Sequence, residues 1–326
     1  MGAKWLFVRR NWSLMKRVVL LGAAGFLGSH LADSLLDRGD EVIGIDDLSS
    51  GTLRNIQHLD SHPKFHFQRK DICEEISIDG QVDAVLNFAS PASPPRYQAM
   101  PIKTLQTGSI GTENALRLAL IKDARFVMAS TSEVYGDPTV SPQPESYWGN
   151  VNPIGERSCY DEAKRFSEAV CMAYRREHDI DLGIVRIFNT YGPRLDPQDG
   201  RVVSNLVTQA LSNTDLTIYG DGSQTRSFCY VSDEVRGILS LMDSDLTGPI
   251  NIGNPFEFTM NELASLVIEL TDSKSKIRNE PLPMDDPLRR CPDISIAMRE
   301  LSWTPEVQLR EGLELTITWF RELLRS

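Results

Sequence analysis

Apolar positions along the chain fall into two alternating rhythms, one of short continuous runs and one of helical spacing. Val18, Val19, Leu20 and Leu21 form a short run, Gly22 to Gly28 follow, and Phe26, Leu27, His30, Leu31, Leu35 and Leu36 then recur at the period of a helix. Gly39 closes that helix. Glu41 to Ile45 resume a strand ending at Asp46-Asp47, so residues 17–46 read as one βαβ unit. Further strands are predicted at Phe65 to Gln68, Asp83 to Ala89, Arg125 to Ala129 and Leu182 to Phe188, with helices near 103–120 and 160–178. Such alternation predicts an α/β fold, a Rossmann-type doubly wound parallel sheet with ligands at the carboxyl ends of its strands. Beyond Tyr191 the chain turns to loops rich in Gly, Pro and Asp, with helices near 202–211, 259–271 and 309–324. These predict a smaller α/β substrate-binding lobe.

Composition narrows the class. At 326 residues, 41% of them hydrophobic, the chain has enough apolar surface for a large core. Its net charge of -11 argues against a protein that coats nucleic acid or anionic membrane, and neither is an expected partner. Cys73, Cys159, Cys171, Cys229 and Cys291 are odd in number and contain no CxxC pair, which predicts reduced thiols and no bound metal. The apolar stretch within Met1 to Met15 is too short for a secretory or membrane-spanning segment, so the expected location is cytoplasmic.

Gly22, Gly25 and Gly28 sit between the first strand and first helix. There the first glycine permits a tight turn, the second lets backbone approach a pyrophosphate, and the third lets helix pack on sheet. The helix N-terminus at Phe26 and Leu27 adds amide donors for phosphate. A glycine pattern alone often marks only a turn. Asp46, at the end of the next strand, changes that reading, because a carboxylate there accepts ribose hydroxyls and repels a 2′-phosphate. The expected cofactor is therefore NAD. The domain reading follows: 1–14 an N-terminal extension, 15–190 the NAD-binding domain with later returns near 226–254, and 191–225 with 255–326 mainly the substrate lobe.

Tyr160 and Lys164 are four residues apart and share one helix face. A phenol titrates near pH ~10 and becomes a useful base only beside a cation, which Lys164 and a positive nicotinamide ring would supply. A surface Tyr/Lys pair is the plain alternative. Upstream, Ser130 to Gly136 brings hydroxyls and the Glu133 carboxylate to the carboxyl edge of the sheet, where each hydroxyl taken singly could merely cap a turn.

The GxxGxxG spacing resembles the short-chain dehydrogenase/reductase superfamily. Ser130 to Pro138, Tyr147 to Gly155, Gly200 to Asn205, Tyr219 to Phe228 and Asp285 to Ile294 resemble its UDP-glucuronate decarboxylase (UDP-xylose synthase) family. The likeness runs from about Lys16 to the last helix. It implies that Thr131 bonds the sugar oxygen being oxidised, that the Ser132-Glu133 pairing marks a decarboxylase, and that Arg290 lies near the sugar carboxylate. It further implies Asp71 and Ala89 in the cofactor site, and Tyr97, Asn189, Arg201, Tyr219 and Arg226 around a UDP-sugar. The implied cycle oxidises C4 of UDP-glucuronate, loses carbon dioxide and reduces the ketone to UDP-xylose, unless the 4-keto pentose is released first. Ala23, Asp47, Thr107-Gly108 and Pro95-Arg96 depart from the family pattern. A UDP-sugar 4-epimerase or 4,6-dehydratase is the enzymatic alternative, and an NAD-sensing or scaffold protein the non-enzymatic one. Superfamily resemblance and the apolar Ala169, Val170, Ala173 and Tyr174 also predict a homodimer through the helix carrying Tyr160.

Overall fold

A computed structural model of the chain describes residues 16–281 and 289–325. The 1–14 extension and the Asp285–Leu288 part of the arginine-bearing motif lie outside those residues.

Seven parallel strands form the central sheet: β1 (Arg17–Leu21), β2 (Glu41–Asp46), β3 (Phe65–Arg69), β4 (Ala84–Asn87), β5 (Arg125–Thr131), β6 (Leu182–Ile187) and β11 (Ile250–Ile252). Their order is β11-β6-β5-β4-β1-β2-β3, the doubly wound arrangement expected. Continuous apolar runs suit strands covered on both faces. Val18 and Leu20 face one layer, with Leu31 and Leu35 of α1 (Phe26–Asp37) and Ile238 and Leu241 of α7 (Val231–Met242). Val19 and Leu21 face the other, with Leu116 and Ala119 of α4 (Thr112–Lys122) and Cys171 of α5 (Ser158–His178).

Two elements were not legible as such in the sequence. Strand β11 has three residues between Pro249 and Gly253, too few to show a period, and its partner helix α7 falls within the 226–254 return to the first domain. The expected helix near 103–120 is interrupted. It forms α3 (Pro101–Gln106), one π turn over Thr107–Gly111, and then α4, with α2 (Pro94–Ala99) just before. A Cβ on Gly108 would stand 2.7 Å from that of Ala163, so the missing side chain lets this turn lie directly against α5.

The remaining strands pair in small sheets of their own. β8 (Leu216–Tyr219) pairs with β13 (Ile277–Glu280), and β9 (Thr225–Ser227) lies between β12 (Glu257–Thr259) and β14 (Arg289–Arg290). The short β7 (Thr190–Tyr191) and β10 (Cys229–Tyr230) pair with each other. Helices α6 (Val202–Leu211), α8 (Met260–Thr271), α9 (Ser295–Leu301) and α10 (Leu309–Arg325) complete the described chain, α8 opening on a Thr259/Glu262 capping box. Among the described residues no helix is long and apolar enough to cross a membrane.

Candidate active site

A cavity of about 1230 Å³ opens at the carboxyl ends of β1, β4, β5 and β6, and a smaller recess adjoins it. The glycine turn forms the shared wall. Gly22 has φ +83°, and a Cβ there would lie 2.7 Å from the Phe88 and Ala89 backbone, while one on Gly28 would lie 1.9 Å from the Gly22 carbonyl oxygen. Only hydrogen fits at either place, and the space left lies before the N-terminus of α1. Gly25, Phe26 and Leu27 line the same cavity.

Asp46, Asp71 and Ala89 line the adjoining recess. The Asp46 carboxylate accepts from the Ala24 and Leu48 amides at 3.0 and 2.8 Å, and burial pushes its pKa up against those bonds. Asp71 accepts from the Cys73 amide at 2.9 Å and from Lys103, whose ammonium also lies 3.3 Å from Asp47. Lys103 was not singled out from the sequence, where nothing distinguishes it from an exposed helix lysine.

Strand β5 ends at Thr131, whose hydroxyl accepts from the Glu133 amide at 3.2 Å and caps the tight turn Ser132–Tyr135. This turn puts Ser132 and Glu133 into the cavity wall. Tyr160 and Lys164 enter it from α5, one turn apart as their spacing required. Their relation differs from the expected one. Lys164 donates to the Ala129 carbonyl at 2.8 Å and lies 5.9 Å from the Tyr160 ring centre, and burial pulls its pKa down to about 8. Burial pushes the Tyr160 phenol up to about 12 despite its hydrogen bond with Thr131. Tyr97 stacks flat on Tyr160, centroids 5.1 Å apart and planes 6° off parallel, which shields that ring from water.

Glu133 is held by two guanidinium groups, Arg290 and Arg157. Burial alone would raise its pKa, but Arg290 and Arg157 together outweigh it and hold the carboxyl at about 2. Arg290 also donates to the Gly136 carbonyl at 2.8 Å and is almost wholly buried. Arg157, like Lys103, was not singled out from the sequence. Its signal was the position three residues before Tyr160.

The other expected residues line the far side. Arg201 pairs with Asp199 at 3.0 Å, Asn189 donates to the Ser227 carbonyl at 3.3 Å, and Arg226 donates to the Thr225 carbonyl at 2.9 Å. Tyr219 is 44% exposed at the rim. The cavity thus joins a phosphate-compatible turn, a phenol with a hydroxyl neighbour, and a carboxylate between arginines.

Residues 18–253 match the NAD dependent epimerase/dehydratase family. The protein named UDP-glucuronic acid decarboxylase 1 in Arabidopsis thaliana is 53% identical over 94% of this chain and 70% of its own length. Its namesake in Danio rerio is 51% identical over 94% of this chain and 73% of that one. The chain belongs to the UDP-glucuronic acid decarboxylases. Solved structures place that branch within the wider epimerase/dehydratase fold. UDP-glucose 4-epimerase of Thermotoga maritima, with UDP-glucose, superposes with TM-score 0.87 at 30% identity over 94% of this chain and 99% of that one. UDP-glucuronic acid 4-epimerase of Bacillus cereus, in complex with UDP-glucuronic acid and NAD, gives 0.82 at 28% identity over the same shares. The matched family is NAD dependent, and the glycine turn and Asp46 recess of this chain fit that dinucleotide.

Proposed function

We propose that this protein converts UDP-glucuronate to UDP-xylose through a 4-keto intermediate, with NAD regenerated in each cycle. The observation that carries the reading is the Glu133–Arg290 pair in the cavity that also holds Thr131 and Tyr160. A buried arginine beside a phenol suits a sugar with a carboxylate at C5 and a reacting hydroxyl at C4.

Bound NAD+ supplies the two-electron oxidation at C4 and its later reversal. Tyr160 accepts the C4 hydroxyl proton, with Lys164 behind it, and Thr131 orients the same oxygen. Once C4 is a ketone, the C5 carboxylate is β to a carbonyl. Carbon dioxide departs, its bonding electrons pass into an enolate, and Thr131 and Tyr160 donate hydrogen bonds to the enolate oxygen. Arg290 binds the carboxylate before it leaves, while Glu133, Arg157 and Ser132 hold the ring side of the pocket. Asn189, Arg201, Tyr219 and Arg226 face the UDP, with Arg201 and Tyr219 reaching it from the smaller lobe of residues 191–225 and 255–326. Incubation with UDP-glucuronate, with and without added NAD+, followed by mass spectrometry tests this. Loss of one carbon dioxide is expected. Loss of water would indicate a dehydratase, and an unchanged mass an epimerase.

Two further readings rest on surface and thiol chemistry. We read the protein as a homodimer through α5 and the adjacent α3, because Phe166, Ile102 and Leu105 are 46%, 70% and 43% exposed there. A monomer by light scattering at micromolar concentration would refute it. All five cysteines are free, which supports a cytoplasmic, reducing setting.

A further inference from the structure

The cluster around Glu133 contains a second carboxyl with no role in the contacts above. Asp161 follows Tyr160 on α5, one helical turn beyond Arg157, and is 6% exposed. Its Oδ1 is buried and has no hydrogen-bond partner among the described residues. An ionised carboxylate seldom tolerates that.

Its surroundings set its charge. Arg157, Cys159, Tyr160 and Glu162 act on it from its own helix, Tyr97 from α2, Glu133 from the turn after β5, and Arg290 from β14. Burial and the Glu133 charge push Asp161 up to about 7, and the two arginines only partly offset them. The phenols and the Cys159 thiol are neutral near that pH, their pKa values all raised by burial. Glu162 is half-buried and lies 3.7 Å from Arg165.

The interior charge balance then turns on one proton. With Asp161 protonated, two arginines face one carboxylate, and the cluster has a single positive charge to offer a substrate carboxylate. With Asp161 ionised, that surplus is gone, and an incoming carboxylate would leave a buried negative charge without a partner.

We propose that Asp161 gates the carboxylate subsite: an acidic sugar nucleotide binds only with Asp161 protonated, so its binding draws one proton from solvent, whereas a neutral UDP-hexose binds without one. This rests on the decarboxylase reading and adds a specificity-determining residue to it. Asp161 acts through the charge of the cluster and does not line the cavity. When the bond from C5 to the carboxyl carbon breaks, its electron pair stays in the enolate and a C5–H bond must form, so each turnover consumes one proton. The C5 proton comes from solvent, and Asp161 can release its own once the carboxylate charge has left as carbon dioxide.

The test uses the NAD-loaded full chain and compares UDP-glucuronate with UDP-glucose between about pH 6 and 9. With turnover blocked by Tyr160→Phe, which every binding arm carries, affinity for UDP-glucuronate falls ~tenfold per pH unit above about 7, a slope that UDP-glucose lacks. Asp161→Asn, which keeps the neutral shape at every pH, abolishes the slope and binds the acidic sugar well at the alkaline end. A purely structural role for Asp161 would instead lower affinity at all pH values. Should Asp161→Asn fold poorly, calorimetric titration of Tyr160→Phe in two buffers of different ionisation enthalpy reads the same quantity. Near one proton is taken up with UDP-glucuronate above the transition, and none with UDP-glucose. An unchanged slope in Asp161→Asn, or no proton uptake, overturns the inference while carbon dioxide release still upholds the decarboxylase reading. No carbon dioxide at any pH, with equal binding of both sugars, overturns that reading and this inference with it.

Discussion

Replacing Arg157 by methionine keeps most of the side-chain stem and removes one of the two cations that hold Glu133. Those cations, against burial, bring the Glu133 pKa from 4.5 to about 2. That difference corresponds to about 3 kcal/mol of preference for the ionised, folded form. Burial opposes both cations, so each of them supplies at least half of that net difference, and Arg157→Met should cost at least about 1.5 kcal/mol. For a chain of this size the loss is about 2–4 °C in Tm. The sign of its pH dependence follows from linkage. A depressed carboxyl pKa stabilises fully above the unfolded value near 4.5 and loses that contribution as pH falls toward 2. The Tm gap between parent and variant should therefore narrow as pH falls below 4.5, and it should widen again as pH rises through about 7, because Asp161 also loses the Arg157 cation. Thermal unfolding followed by circular dichroism, from alkaline pH down to the lowest pH at which both fold reversibly, measures this. The variant should also turn over UDP-glucuronate about 10–100-fold more slowly, because Glu133 is no longer held in place. A Tm gap that ignores pH throughout would show that Arg157 acts by packing and not through Glu133.

Three other outcomes are expected. Tyr160→Phe should fold and retain NAD but lose several orders of magnitude in kcat, read by mass spectrometry and by cofactor fluorescence. Gly28→Ala should weaken NAD binding at least tenfold and lower Tm, since the new Cβ falls 1.9 Å from the Gly22 carbonyl oxygen and the cradle must open. Glu234, fully buried and bonded by Thr190 at 3.2 Å, has its pKa pushed well above 4.5 by burial. A raised carboxyl pKa costs stability increasingly as pH rises above 4.5, so Glu234→Gln should match the parent near that pH and surpass it at pH 8, by chemical denaturation.

The sequence made the local chemistry legible and left much of the long-range charge balance hidden. Gly22, Gly25 and Gly28 announce their role because a strand precedes them and a helix follows. Tyr160 and Lys164 do so because four residues make one turn of α5. Arg157 caps the N-terminus of that helix three residues before Tyr160, yet an arginine in isolation is more often solvated than engaged. Its meaning depends on Glu133, 24 residues earlier, and on Arg290, 157 residues beyond Glu133, which meet only when β14 pairs with β9. Strand β11 was hidden for another reason. Three residues carry no periodicity, and Ile250–Ile252 becomes a strand because β6 offers it an edge.

If Tyr160 is the base at C4, as proposed, its surroundings make the cofactor part of the acid–base machinery. Spacing suggested that Lys164 would draw the phenol toward ionisation, but its ammonium is engaged by the Ala129 carbonyl and lies 5.9 Å from the ring centre. Tyr97 covers one face of the ring, and burial holds the phenol near 12, far above neutrality. Arg201 and Thr131 favour the phenolate without overcoming burial. The positive charge still required matches that of an oxidised nicotinamide, and the glycine cradle lies at the neighbouring end of the same cavity. On this reading the base becomes competent when oxidised cofactor is present and loses that support when the ring is reduced. The direction of proton transfer at C4 then follows the redox state, as a cycle that oxidises and later reduces the same carbon requires.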